Sequence, residues 1–202
     1  MKKYFTSSAW LALLQKLGKE KQKILSPRTL QSGSGLSREA SLKAVQRLVR
    51  RGHLVKLYKK TYANKFSPPS LEDVAMFYGK PCYISFESAL EDLGVISQAP
   101  QVLTCATTRK LKNLKTPLGE IVFHHLNPRL FNNFENDQGV LRATAEKALL
   151  DYLYIYLKNK NYVPSLDELD LGQLDKKKIK KLAKIFPPSV RDALFHLFLD
   201  RE

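Results

Sequence analysis

Cysteine is nearly absent: Cys82 and Cys105 are the only two in 202 residues. That excludes a disulfide framework, and the pair lacks zinc-ligand spacing. Both sit in apolar surroundings and are expected as reduced core thiols. No apolar run approaches the roughly 18–20 residues needed to cross a bilayer. The opening MKKYFTSSAWLALL has lysines before an apolar stretch. That stretch is short, runs into Gln15-Lys16 and carries no small-residue cleavage site. It is expected to form an amphipathic helix of a cytoplasmic protein with no membrane partner. A Gly-rich nucleotide loop, a hydrolase elbow and a zinc motif are also missing, so no cofactor and no enzymatic activity are expected.

The most informative shortage is of acid in the first third of the chain. Residues 1–66 hold 16 Lys and Arg against only Glu20 and Glu39, a net of +14. The remaining residues hold 18 basic and 17 acidic side chains, a net of +1, although the whole chain carries +15. A charge kept for solubility would be spread out. A local one points to a polyanionic partner, because neutralising phosphates releases counterions.

Hydrophobic residues make up 44% of the chain, enough for a packed core. Trp10, Leu13, Leu14 and Leu17 share one face of a first helix over residues 9–17, with Ser8 as its cap. Ser26-Pro27 opens a short second helix, expected to end near Gln31, before a Ser32-Gly33-Ser34-Gly35 turn. Ser37 caps a third helix over residues 38–51, with Leu42, Val45, Leu48 and Val49 inward and Gly52 as its stop. Residues 53–63 read as strand, tight turn, strand, with Lys59-Lys60 at the tip. Three helices followed by a hairpin is the order of a winged helix-turn-helix.

After the Ser67-Pro68-Pro69 boundary, Ser70 and Asp73 form a capping box. Ser85 caps another helix, which ends at Gly94. Residues 102–107 and 120–126 read as strands, joined as a hairpin by a long basic connection. A regular helix follows over residues 145–157, and the tail adds helices over 166–171, 176–186 and 190–199. The expected fold class is α+β: a winged helix-turn-helix over residues 1–66, then a mixed helical and β domain over 70–202 with a helical tail.

A winged helix lays its third helix in the major groove and rests its wing tip on an adjacent groove or phosphate. The residues suited to those tasks are Arg28, Ser37, Arg38, Lys43, Gln46, Arg47, Arg50, Arg51, Lys56, Lys59 and Lys60. Lys43, Arg47 and Arg50 form a stripe at three- and four-residue spacing, with Gln46 beside them. Arg and Gln can read guanine and adenine through paired hydrogen bonds. Arg51, Lys56, Lys59 and Lys60 suit phosphates, which position a protein without specifying a sequence.

Elsewhere the candidates are weaker. His124 and His125 are adjacent on a strand, so their rings point to opposite faces and suit no metal. Glu146, Lys147 and Asp151 are the set a nuclease-like domain would use. The plainer expectation is an N-terminal Glu favoured by the helix dipole, plus a surface ion pair. The run Lys176-Lys177-Lys178 with Lys180 and Lys181 has acidic neighbours and reads as a solvated face. A small effector held by the second domain is a third alternative, without a signature of its own.

Three blocks of the second half carry a family resemblance. Tyr83-Ile-Ser-Phe-Glu-Ser-Ala-Leu90 with Gly94-Val-Ile96 is similar to a "YISLESAL..HGLI" stretch of the AbiEi antitoxin family. Thr116-Pro-Leu-Gly119, Phe123-His-His-Leu126 and Pro128-x-Leu-Phe131 resemble that family's next block. Ala143-Thr-Ala-Glu-Lys-Ala-Leu-Leu-Asp151 resembles its "A..EKALLD" helix. The wing departs from the family, with Lys60-Thr61-Tyr62 where Gly-x-Tyr is common, and nothing after about residue 160 matches. The resemblance implies a bacterial antitoxin of the abortive-infection type. Such a protein represses its own promoter at inverted repeats in duplex DNA, where two copies can pair. It also counteracts, directly or indirectly, a nucleotidyltransferase-like toxin.

Overall fold

In the computed structural model, residues 5–158 and 169–199 are described. Contacts divide the chain into two compact units. One holds the described residues up to Val74 together with Lys115–Gly119; the other holds Ala75–Leu114 and the described residues from Glu120 onward. The class is α+β. Among the described residues no helix is long and apolar enough to cross a membrane.

The first unit runs α1 (Ser7–Lys19), β1 (Ile24–Leu25), α2 (Pro27–Ser34), α3 (Arg38–Arg50), β2 (Leu54–Tyr58) and β3 (Thr61–Asn64). The strands form an antiparallel sheet in the order β1-β3-β2, with Leu54 opposite Asn64 and Ile24 opposite Ala63. This is the winged-helix arrangement. Its core gathers Trp10, Leu14 and Leu17 from α1, Leu25, Leu30, then Ala44, Val45 and Leu48 from α3, and Leu54.

Several local expectations shift. The cap of α1 is Thr6, not Ser8: its hydroxyl accepts from the Ala9 amide at 3.2 Å. The helix also continues through Gly18. A Cβ there would stand 3.2 Å from the Ser67 Cβ and 3.4 Å from the Phe66 carbonyl, so glycine permits that approach. Instead of ending near Gln31, α2 runs to Ser34 and stops at Gly35, whose φ of 64° closes the helix on the Gln31 carbonyl. Strand β1 is too short to leave a pattern. The Pro68-Pro69 segment is no free linker. Asn64 donates to the Leu14 carbonyl at 2.8 Å and accepts from the Phe66 amide, while Lys23 pairs with Asp73 at 2.8 Å. The first unit therefore continues into α4 (Leu71–Gly79), which the Ser70–Asp73 capping box opens.

The second sheet has six strands in the order β6-β7-β5-β4-β9-β8. In chain order they are β4 (Cys82–Ile84), β5 (Leu103–Thr107), β6 (Leu114–Thr116), β7 (Gly119–His125), β8 (Phe134–Asp137) and β9 (Val140–Ala143). The expected 102–126 hairpin is not formed: β5 and β7 pair in parallel, Leu103 opposite Ile121. The short β6 takes the edge place beside β7, and the basic connection serves to turn the chain back. Helix α5 (Phe86–Asp92) starts at Ser85, which makes no side-chain cap bond, and α6 (Ala145–Lys158) carries a largely buried face. The tail forms α7 (Lys176–Ala183) and α8 (Pro188–Leu199). Of the helix expected over 166–171, the first three residues lie outside the described residues. Both cysteines are free and buried, and burial pushes the Cys82 thiol up to about 12.

Candidate nucleic-acid interface

Helix α3 is built to present one side. Its cap, Ser37, accepts from the Ala40 amide at 3.3 Å, and Gly52 ends it at φ 68°. Ser41, Ala44, Val45 and Leu48 are buried. Directly opposite, at spacings of four, three and four, lie Glu39, Lys43, Gln46 and Arg50, all exposed. Glu39 was not among the expected contacts, though its four-residue offset from Lys43 puts it on the same line. Leu42 does not join the core as expected. It is 39% exposed, because the buried arc centres on Ala44 and Leu48 and leaves it on the flank.

All eleven predicted residues are exposed, and they fall into groups. Lys43, Gln46 and Arg50 occupy the outward line. Arg28 from the start of α2, Arg38 from the start of α3 and Lys60 from the wing tip converge with Leu42 and Gln31 around a groove of about 520 Å³. Ser37 caps the head of α3, one residue before Arg38. Arg47 is exposed beside Lys43 and Arg50 and, with Arg51, also borders a recess lined by Phe5, Ser7 and Trp10 of the α1 end. Lys56 projects from β2. Lys59 holds the first place of the two-residue wing turn at φ 44°, with its ammonium 5.2 Å above the Tyr58 ring. A side chain with a Cβ is strained there.

The surface can therefore offer a helix with four hydrogen-bonding side chains on its outermost line and cations on both flanks. Among the described residues, no carboxylate lies within ion-pair distance of Lys43, Arg47, Arg50 or Arg51. Such cations remain available to phosphates.

The expected surface pair on α6 is instead a buried cluster. Lys147 and Asp151 are both 0% exposed and bonded to each other. The Tyr83 hydroxyl donates to Asp151 at 2.7 Å and accepts from Lys147 at 2.8 Å, and the Ser85 hydroxyl donates to Asp151 at 3.0 Å. That bond is why Ser85 does not cap α5 with its side chain. Burial drives the Asp151 carboxyl up and the Lys147 ammonium down, each opposed by its partner. Burial and the adjacent Asp151 charge raise the Tyr83 phenol far above its ordinary value. Glu146 forms an ion pair with Lys178 at 3.3 Å and accepts from the Asp175 amide, so part of the Lys-rich run is anchored rather than wholly solvated. Among the described residues, Glu146, Lys147 and Asp151 are thus buried and bonded rather than exposed. His124 packs edge-on to Phe86 at 4.6 Å, and burial lowers its pKa; His125 is exposed. Among the described residues no group of three His, Cys, Asp or Glu side chains is arranged to hold a metal.

Compared with known protein families and with curated proteins, the chain matches none.

Proposed function

We propose that the chain is a duplex-DNA-binding regulator whose winged-helix unit lays α3 in the major groove and sets the β2–β3 turn on neighbouring phosphates. The observation that carries the reading is the coincidence of fold and charge. The side of α3 turned from the core carries Lys43, Gln46 and Arg50, unopposed except by Glu39, and the wing tip is Lys59-Lys60. Gln46 and Arg50 have the chemistry to read base edges, and Arg38 at the start of α3 can join them. Arg28, Lys43, Arg51, Lys56, Lys59 and Lys60 suit phosphates.

The narrower role is that of an autorepressing antitoxin. It would bind inverted repeats in its own promoter, with two copies meeting there, and counter a nucleotidyltransferase-like toxin in the cytoplasm. Its support is the resemblance of residues 83–96, 116–131 and 143–151 to AbiEi antitoxins. The test is selection of bound duplexes from a random pool, followed by mobility shift on the recovered sequence. Enrichment of a motif, with binding abolished by Arg50→Glu and retained by Lys177→Glu, is the expected result. A pool that never enriches would end the reading.

A further inference from the structure

The flank of α3 opposite the wing holds a second feature that the DNA contacts do not explain. Between the start of α1 and the end of α3 lies a recess of about 210 Å³, lined by Phe5, Trp10, Leu11 and Ala44 on its apolar side. Its polar side carries Arg47, Arg51, Ser7 and His53. Arg51 reaches across to donate to the Ser7 hydroxyl at 3.0 Å. Two of the residues lining it each bury a polar atom without a partner: the Trp10 Nε1–H, in a residue only 3% exposed, and the His53 Nδ1. Buried polar atoms in folded proteins nearly always find a partner, so a pair of orphans in one recess asks for a reason. The dipole at the end of α3 accounts for arginines near its last turn. It does not account for the recess, nor for a donor left without an acceptor.

The geometry points to a binding site for an oxyanion, with Arg47 and Arg51 taking the charged head and Phe5, Trp10 and Leu11 covering an apolar body. Both guanidinia lack a carboxylate partner among the described residues, and the positive end of α1 lies at Ser7. The volume is below the roughly 300–1,000 Å³ of drug-sized pockets, so the fitting ligand is small: one ring or a short chain bearing an acid. The same oxyanion chemistry can come from a free organic acid or from a backbone phosphate of bound DNA. The apolar wall favours the free acid. A consequence, resting on the DNA-binding reading, is competition. An acid that engages Arg47 removes a cation from the α3 flank, and by linkage DNA weakens the acid by the same factor.

Trp10 is the only tryptophan in the chain, so its emission reports on this recess alone. The full chain is titrated with phenylacetate, with phenylacetamide as its uncharged counterpart, with inorganic phosphate and with a 20-base-pair duplex. A saturable change with phenylacetate, absent with phenylacetamide and weakened at least tenfold in Arg51→Met of unchanged circular dichroism, is the expected result. Phosphate, lacking an apolar body, is expected to bind more weakly. If only the duplex changes Trp10 emission, and Arg51→Met abolishes the change, the oxyanion is a DNA phosphate. Equal responses to phenylacetate and phenylacetamide in the unaltered chain, or titrations unmoved by Arg51→Met, would overturn the site. The acid titration needs no DNA, so it stands or falls apart from the proposed function.

Discussion

Replacing Lys147 by methionine removes one charge from the interior and leaves the other. Methionine replaces the lysine's four-atom stem without the ammonium and would lie near the rings of Tyr83 and Phe186, which the ammonium now faces at 5.3 and 5.2 Å. Packing is therefore conserved, and the effect is electrostatic. Asp151 keeps its hydrogen bonds from Tyr83 and Ser85 but loses its counter-charge. Removing one member of a buried pair costs about 3–5 kcal/mol. A ceiling comes from protonation: bringing a carboxyl from its ordinary pKa of about 3.9 to the neutral acid at pH 7 costs about 4 kcal/mol at 1.36 kcal/mol per pH unit. The expected loss is thus about 3–4 kcal/mol at pH 7, read by urea denaturation. The sign of the pH dependence follows. In the variant, Asp151 has a folded pKa above its unfolded one, so the folded state binds more protons and stability rises as pH falls. The deficit relative to the parent should shrink by up to about 1.4 kcal/mol per pH unit between pH 7 and 5. The double variant Lys147→Met/Asp151→Asn, which removes the charge but keeps an acceptor for the Tyr83 and Ser85 hydroxyls, should recover most of the loss. A single-variant deficit below about 1 kcal/mol, equal at both pH values, would refute the buried pair.

Three further outcomes follow from the first unit. Burial pushes the Asp73 carboxyl up, but Lys23 and the Ser70 hydrogen bonds outweigh it and hold its pKa below 3.8. Its contribution to stability is therefore full above the ordinary carboxylate range and lost as pH falls below about 4; Lys23→Met should flatten that part of an acid-denaturation curve. Lys59→Gly relieves a side chain held at φ 44° and should raise stability by about 0.5–1 kcal/mol in thermal melts, while weakening DNA binding if the wing contacts phosphate. Glu39, the one acid on the outward line of α3, can accept from a cytosine amino group. Glu39→Gln should change the preferred base at a single position of the selected motif rather than affinity overall.

The winged helix was legible because each of its signals is local. Ser37 and Gly52 bracket α3, Ser26-Pro27 opens α2, and the strands flank a two-residue turn. The error in α2 came from reading Gly33 as a turn residue. In the fold it is a helical position where a Cβ would stand 2.8 Å from Leu13 Cδ1, so its small size serves helix packing. Leu42 lies on the flank rather than in the core because a helical wheel gives the spacing of side chains but not the centre of the buried arc. The parallel β5–β7 pairing and the buried Lys147–Asp151–Tyr83 cluster depend on partners far apart in sequence. Tyr83 precedes Lys147 by 64 positions, and nothing in the α6 periodicity distinguishes a lysine that faces a tyrosine hydroxyl from one that faces water.

The proposed DNA contact is tested most directly by the salt dependence of duplex binding in the unaltered chain and in single neutralising variants. Plotted as log affinity against log salt concentration, binding should fall with a slope of about −0.9 for each phosphate engaged. Neutralising Lys43 or Lys60 should each reduce that slope by about one, and neutralising Lys181 should leave it unchanged. Affinity indifferent to salt, or slopes that ignore Lys43 and Lys60 but respond to Lys181, would contradict a groove contact made by α3 and the wing.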